Sequence, residues 1–529
     1  MSILEIDQKD LALLGNDESE ELVSRLCEAE MQAKGYSARY TRLSGEAYAS
    51  DGGIDVSVSI PDESFIGEYI PRPRTIFQAK NTSMTPSKIK EEIKKHPDLF
   101  KSLKVTGGAY VIACLQKCYA DKPLKDRLEA MKEAIQANTI SIDFYDQSRL
   151  HQWLRQYPAV GLWVRKITNK PLTGWRGFDQ WTTVPSEADD KIILEDGVRV
   201  FLPDSKETPL SIADAIPKLR EYVFNSNKAL RIIGLSGVGK TRLVQALFEK
   251  INDGDTPLEP HRAVYTDTSL EPNPSISSML ENLNILRQKT FLVVDNCSAE
   301  THRQLTSTPR KAEVKLITVE YDIRDDEPET TDIVRIEVNG TEITKRLILQ
   351  RYPQTFHSET IERIANFAEG NARLALLIAE AAPKKGKLTE LTNQVLFERL
   401  FYQRHDKNDT FKRQAEVLAL VHSFSVGATE YASDELEPLA KLCECSPDLL
   451  HRTCAELMTR QIIQRRGQWR AVLPHPIANR LAKDALKSVP RQSLKSLFEH
   501  PNNRRLLKSF AKRLSHLYDD ENARRIVQS

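Results

Sequence analysis

The chain has 529 residues, 40% of them hydrophobic and 28% charged. At roughly 150 residues per domain that length suggests three or four domains. Lys plus Arg 75 against Asp plus Glu 74 leaves a net charge of +1, so no global charge marks the chain for nucleic acid or an anionic membrane, and any such site must be local.

The cysteines, Cys114/Cys118 and Cys443/Cys445 among them, lack a second pair or a histidine pair at zinc-finger spacing. They read as reduced thiols of an intracellular protein. Met1 to Asp10 has no basic region followed by an apolar core, so no signal peptide is expected. No run approaches the ~20 apolar residues of a membrane span. The expected location is cytoplasmic, with no membrane partner.

Leu22, Val23, Leu26, Ala29 and Ala33 space a helix over 18–34, stopped by Gly35. A short strand is predicted over 36–41. Gly52 and Gly53 feed another over 51–59, where Ile54, Val56 and Val58 alternate with Asp55, Ser57 and Ser59. A third covers 75–80, with Gln78 and Lys80 on one face. An acid on one strand beside Gln-x-Lys on the next is the chemistry of a metal-dependent nuclease. Asp55 is the candidate Mg²⁺ ligand. The metal would activate a water and neutralise the scissile phosphate. Lys80 would orient or deprotonate that water and stabilise the phosphorane. Gln78 is a neutral oxygen ligand, so the site wants another carboxylate. Glu20 on the first helix is the candidate, with Glu21 the near alternative.

Glu20-x-x-Val23-x-x-Leu26, Gly35-Tyr36, Asp51-Gly-Gly-Ile-Asp55 and Phe77-Gln-Ala-Lys80, in that order, resemble the PD-(D/E)xK superfamily. The pattern is most similar to its Mrr-type branch, although Ser19 stands where that family usually has an aromatic residue. The resemblance implies a restriction-endonuclease-like α/β domain over 1–168 that cuts double-stranded DNA. The rest of that region fits one α/β core: a helix over 85–95 with Thr85 as cap and Pro86 at its first position, strands at 109–115 and 140–145, and a helix over 147–155. Lys88 to Lys95 could touch a DNA backbone, but reads first as a solvated helix face with i,i+4 pairs.

Turn-rich Asn169 to Gly177 marks a boundary, and 169–205 is the expected linker. Its Trp175 and Trp181 are expected to pack on the next module. The nucleotide-binding module covers 206–340, with a helix over 211–225. The apolar stretch 229–233 runs into Gly234-Leu-Ser-Gly-Val-Gly-Lys-Thr241 and then a helix. Strand, glycine-rich loop and helix make a P-loop. Backbone N–H groups of Gly234, Ser236, Gly237, Val238 and Gly239 would cradle a polyphosphate of ATP or ADP at a helix N-terminus. Lys240 would reach the β- and γ-phosphates, Thr241 would hold Mg²⁺, and Arg242 follows in the same candidate site. Strands are predicted at 263–267, 289–296 and 314–319. Asp295 closes an apolar strand at its carboxyl end, where ligands bind in open α/β sheets, and would hold Mg²⁺ or its water. Asn296 follows where hydrolases often have a second acid, so binding is expected and fast hydrolysis is not. Thr318 or Arg324 is the candidate γ-phosphate sensor.

A helical domain is expected over 341–405, with a helix at 358–369 and another begun by Gly370-Asn-Ala-Arg-Leu-Ala375. Over 406–485, helices at 411–421, 433–442 and 447–457 precede a hairpin at 462–472. That is a winged-helix pattern, which binds DNA through its third helix or closes over a nucleotide. His475 follows the hairpin. Residues 486–529, with Arg504 to Leu514, look like the start of a C-terminal helical region.

The P-loop, Leu292-Val-Val-Asp295, the 370–375 element and the winged helix, in that order, resemble the STAND class of signalling ATPases. With the N-terminal domain, the chain is similar to the antiviral STAND proteins (Avs) of bacteria and archaea. That resemblance implies ADP contacts from Gly370 and His475, although Ala372 replaces the family's proline. It implies a phage-protein trigger of terminase or portal type, a homo-oligomer, expected as a tetramer, when active, and a longer sensor beyond Ser529. The expectation is therefore an α/β multidomain, ATP-gated, Mg²⁺-dependent DNA endonuclease of antiphage defence. The alternative is a STAND-type transcription regulator that reads DNA through its winged helix.

Overall fold

The computed structural model describes residues 6–43, 54–182, 197–234, 237–252, 255–320, 330–338, 340–368, 370–381, 409–427, 434–460, 462–466, 469–473, 475–518 and 520–528. Among them the strands form a five-stranded, an eight-stranded and a three-stranded sheet in a mixed α/β architecture. None of the described helices is long and apolar enough to cross a membrane.

The first sheet runs β1 (Thr41–Leu43), β2 (Val56–Ser59), β3 (Arg74–Lys80), β4 (Ala109–Cys114), β5 (Ser141–Tyr145). The first three are antiparallel, and β3, β4 and β5 are parallel. Strand alternation sorts the side chains into two cores. Val56, Val58, Phe77 and Ala79 bury with Leu22, Val23 and Leu26 of α1 (Asn16–Ala33) on one face. Tyr110, Ile112 and Cys114 bury on the other, with Ile89 and Ile93 of α2 (Pro86–Lys94) and Met131 of α4 (Asp121–Ile135). Gln78 and Lys80, out of phase with Phe77 and Ala79, therefore belong to the α2 face. Thr85 caps α2 through the Lys88 N–H and Pro86 opens it, as expected.

The strand expected at 36–41 begins later. Ser37 accepts the Arg39 N–H and turns 38–40 into a short 3-10 helix before β1; a local side-chain bond wins over extension. Pro97 and Pro158 each start a helix that apolar spacing alone did not signal: α3 (Pro97–Thr106), which precedes α4, and α6 (Pro158–Ile167), which follows α5 (Gln147–Leu154).

The second sheet has the order β6 (Trp175–Gly177), β10 (Ala263–Asp267), β11 (Thr290–Asp295), β12 (Val314–Val319), β9 (Ala229–Ile233), β13 (Thr331–Val338), β7 (Val198–Leu202), β8 (Ser205–Leu210). The five from β10 to β13 are parallel, and β6, β7 and β8 extend them antiparallel. β9 and β11 are buried along their whole length, as the continuous apolar run of β11 predicts; β9 buries Arg231 as well. The expected linker 169–205 is corrected: β6 and β7 lie within it and pair into this sheet. Its tryptophans pack as expected. Trp175 donates to the Pro274 carbonyl at 2.9 Å, and Trp181 stacks on Tyr265 at 4.4 Å.

The first two modules are joined along α6. Leu162 of α6 buries with Trp175, Val264 and Leu292. Arg25 of α1 lies over the Trp163 ring and pairs with Asp179 beyond β6.

Beyond residue 340 one buried cluster runs from Ile348 to Ala523. It crosses the boundaries expected at 405 and 485, so in the described residues those segments share a core. Helices Asp409–Ala419, Leu436–Leu442 and Pro447–Thr459 surround a sheet of Phe424–Ser425, Trp469–Val472 and Ile463–Arg466, in that order.

Candidate functional site

The N-terminal candidate site sits where β2 and β3 run side by side. The buried Asp55 accepts the Ala79 N–H through Oδ2 at 2.7 Å. That bond ties the end of one strand to the residue between Gln78 and Lys80. Gln78, also buried, accepts the Tyr110 hydroxyl and donates through Nε2 to Glu92 Oε1 at 2.8 Å. Lys80 Nζ lies 3.0 Å from the same Glu92 oxygen, and Lys95 pairs with Oε2 at 2.6 Å. Asp55, Gln78 and Lys80 thus come together, and Glu92 joins them.

Glu92 is the carboxylate that sequence reasoning passed over. It lies in the lysine-rich stretch read as a solvated face. The signal was its place beside Ile93: helical spacing buries Ile89 and Ile93 and turns Glu92 toward the strand. Glu20, the expected carboxylate, rides on α1, which packs over the opposite face of β3. Asp51, Gly52 and Gly53 lie outside the described residues.

Burial alone would raise the Glu92 carboxyl, but hydrogen bonds and charge from Lys95 and Lys80 outweigh it and hold the group at about 2. The folded value is below the unfolded one, so this stabilisation is full above about pH 4.5 and is lost as pH falls toward 2. Glu92→Gln should flatten the decline of the melting temperature across that window; an unchanged acid limb would refute the assignment. Burial, then Asp55 and Glu92, push the Tyr110 phenol up, which keeps it a donor to Gln78.

Among the described residues no group of three His, Cys, Asp or Glu side chains stands at metal-ligand spacing. The donors here are oxygens of two carboxylates and an amide. That suits Mg²⁺, which binds through one or two carboxylates and keeps several waters.

The second candidate site lies at the carboxyl ends of β9 and β11. Lys240 opens the helix Lys240–Leu247, is buried, and donates to the Gly234 carbonyl at 2.8 Å. Thr241 donates to Asp295 Oδ2 at 2.8 Å, and the Tyr265 hydroxyl reaches the same oxygen at 3.2 Å. The Asn296 N–H bonds Oδ1 at 2.8 Å. Burial, then Asp267, push the Asp295 carboxyl up; Thr241 and Asn296 pull against them. A hydroxyl and a carboxylate in contact at the loop's foot fit the donor set for Mg²⁺ beside a polyphosphate. Arg242 turns along its helix to Glu249 in a two-pronged pair of 2.9 and 2.7 Å. Thr318 shares a bond with buried His302 at 2.9 Å, and His302 bonds Thr331. Ser236 and Arg324 fall outside the described residues.

The 370–375 element rests on the P-loop. Gly237, at φ +84°, backs onto Asn371, whose Oδ1 would lie 2.4 Å from any Cβ there. The Ala372 N–H donates to the Gly237 carbonyl at 3.1 Å. A proline at 372 could not make that bond, so the departure from the family pattern supplies its own contact. Gly370, at φ +80°, leaves 2.5 Å between a Cβ and Val338 Cγ1, and 2.7 Å to the Gly340 carbonyl. Gly370→Ala should cost ~2 kcal/mol from the left-handed backbone and crowding. A thermal melt should then fall by about 4–8 °C; no shift would refute the close approach.

His475 begins the helix His475–Ser488 and is 7% exposed. Its ring centroid lies 5.5 Å from His422 and 5.6 Å from His516, with Nδ1 3.4 Å from Arg513 Nη1. Hairpin Arg465 pairs with Glu271, on the turn after β10.

No protein-family model and no curated protein matches the chain. Among solved structures, a signal transduction ATPase with numerous domains and a tetratricopeptide repeat sensor, from Pyrococcus horikoshii, aligns at 13% identity and TM-score 0.26. The alignment covers 58% of this chain and 54% of that one, so this chain spans about half of that protein's length. NtrX from Brucella abortus, in complex with ATP, aligns at 12% identity and TM-score 0.25 over 73% of this chain and 89% of that one.

Proposed function

We propose that the chain is a nucleotide-gated, Mg²⁺-dependent DNA endonuclease of antiphage defence. The observation that carries the reading is Glu92 bridging Gln78 and Lys80 while Asp55 is anchored on the amide between them. A cation, two carboxylates and a buried amide on one strand face suit phosphodiester hydrolysis. Mg²⁺ bound by Asp55 and Glu92 would supply charge neutralisation and an activated water at the phosphate. Lys80 would donate to a non-bridging phosphate oxygen as charge builds there. Glu92, itself paired with Lys95, holds the Lys80 ammonium in place, and Tyr110 keeps the Gln78 amide oriented.

The P-loop module is the gate in this reading. ADP would favour a resting form and ATP an open form that assembles as a homo-oligomer, expected as a tetramer, on double-stranded DNA. The C-terminal helices and hairpin are read as a winged helix, in which Arg465 meets the nucleotide module through Glu271. The trigger is proposed to be a phage protein of terminase or portal type. The deciding experiment is plasmid cleavage with Mg²⁺ and ATP by the protein and its Asp55→Ala variant. Cleavage that survives the substitution would end the nuclease reading.

A further inference from the structure

Asp267 ends β10 where Asp295 ends β11, and the two are partners in the parallel ladder. Its carboxylate is fixed from both sides. Oδ1 accepts the Ser269 N–H at 2.8 Å, and Oδ2 accepts the Asn296 side-chain amide at 2.7 Å. Asn296 sits in the left-handed region at φ 51°, and its carbonyl accepts the Thr268 hydroxyl at 2.7 Å. Strained backbone of this kind persists where surrounding bonds over-determine it. A carboxylate has about four lone-pair positions, so two bonds leave Asp267 with acceptor capacity. Asn296, the residue after Asp295, has an amide where hydrolysis needs an acid. That amide is spent on holding an acid that comes from the neighbouring strand.

We propose that Asp267 is the catalytic acceptor for ATP hydrolysis, with Asn296 as its positioning residue. This rests on the nucleotide-binding reading and adds turnover to it. The attacking water forms a bond from its oxygen to the γ-phosphorus. The bond from that phosphorus to the β–γ bridging oxygen breaks, and its electron pair stays on ADP. One water proton passes to the Asp267 carboxylate and then to solvent, so the products are ADP, inorganic phosphate and a proton. The Thr241–Asp295 pair would hold the Mg²⁺ that accompanies the triphosphate.

The test uses the full chain with Mg²⁺ and ATP. Affinity is read with a fluorescent ATP analogue, and turnover by single-turnover phosphate release. Asp267→Asn keeps the size and one acceptor oxygen for the Ser269 turn. It should bind ATP within threefold of the parent and release phosphate about 10²–10⁴-fold more slowly. Asp267→Glu should recover part of the rate. Asn296→Ala, which frees Asp267 without removing it, should lower the rate about tenfold at unchanged affinity. Phosphate release by Asp267→Asn at the parent rate would overturn the proposal. So would a parent protein that binds ATP and never releases phosphate. A parent that binds no ATP would overturn the nucleotide reading and this proposal together, and the affinity measurement distinguishes that failure from the others.

Discussion

Lys80→Ala is expected to slow DNA cleavage by about 10³-fold or more while leaving ATP affinity within twofold of the parent. The magnitude combines a lost proton-handling group, about 10²–10⁴-fold, with a lost donor to developing negative charge, about 10²–10³-fold; the two roles share one ammonium and do not multiply. The fold should survive. Lys80 points to the α2 face, 25% exposed, whereas the apolar side of β3 carries Phe77 and Ala79 into the other core. Glu92 would keep Lys95 and Gln78 as partners, so no buried carboxylate is orphaned. The P-loop belongs to a different sheet, which is why nucleotide binding should not move. Supercoiled-plasmid nicking with Mg²⁺, beside a fluorescent-nucleotide titration, reads both halves. Cleavage within tenfold of the parent would place the chemistry elsewhere.

The contrast between Lys80 and Glu92 shows what a sequence holds and what it hides. Lys80 was legible because strand alternation puts it beside Gln78 without any knowledge of the fold. Asp55 was legible for the same reason. Glu92 was not, because a charged residue on a lysine-rich helix looks solvated until the helix has somewhere to dock. Only the packing of Ile89 and Ile93 on the Tyr110 face decides that Glu92 points inward. The nucleotide module divides similarly. The P-loop and Asp295 were readable as local patterns, since β9 and β11 are buried throughout and mostly apolar, with Arg231 the charged residue inside β9. β7 and β13 were not, because they lie inside the sheet yet are buried only in part, so their composition is mixed. Asp267 was invisible as a partner of Asn296, being 29 residues away in sequence and adjacent only through the parallel ladder.

Lys240→Ala carries the other large expectation: it should abolish ATP-dependent assembly and DNA cleavage together, although every residue of the N-terminal site is intact. Lys240 is buried and bonded to the Gly234 carbonyl, so it stands inside the loop where a triphosphate's charge would collect. Hydrogen bonds to a charged partner contribute about 1.5–3 kcal/mol each, and contacts to two phosphates would supply about 3–6 kcal/mol. Moving a resting population from 1:99 to 99:1 requires ~5.5 kcal/mol of differential binding. Only the γ-phosphate contact, which ADP lacks, counts toward that difference, about 1.5–3 kcal/mol, so Lys240 supplies up to about half of the drive and its loss should return the chain to the resting form. The modules are joined closely enough for that state to matter at the front of the chain. Arg25 of α1 pairs with Asp179, Trp181 stacks on Tyr265, and Tyr265 bonds Asp295 beside Thr241. Mass photometry with and without ATP reads assembly, and the plasmid assay reads cutting. If purified Lys240→Ala protein cuts plasmid as the parent does, the nucleotide site does not govern the nuclease, whatever it binds.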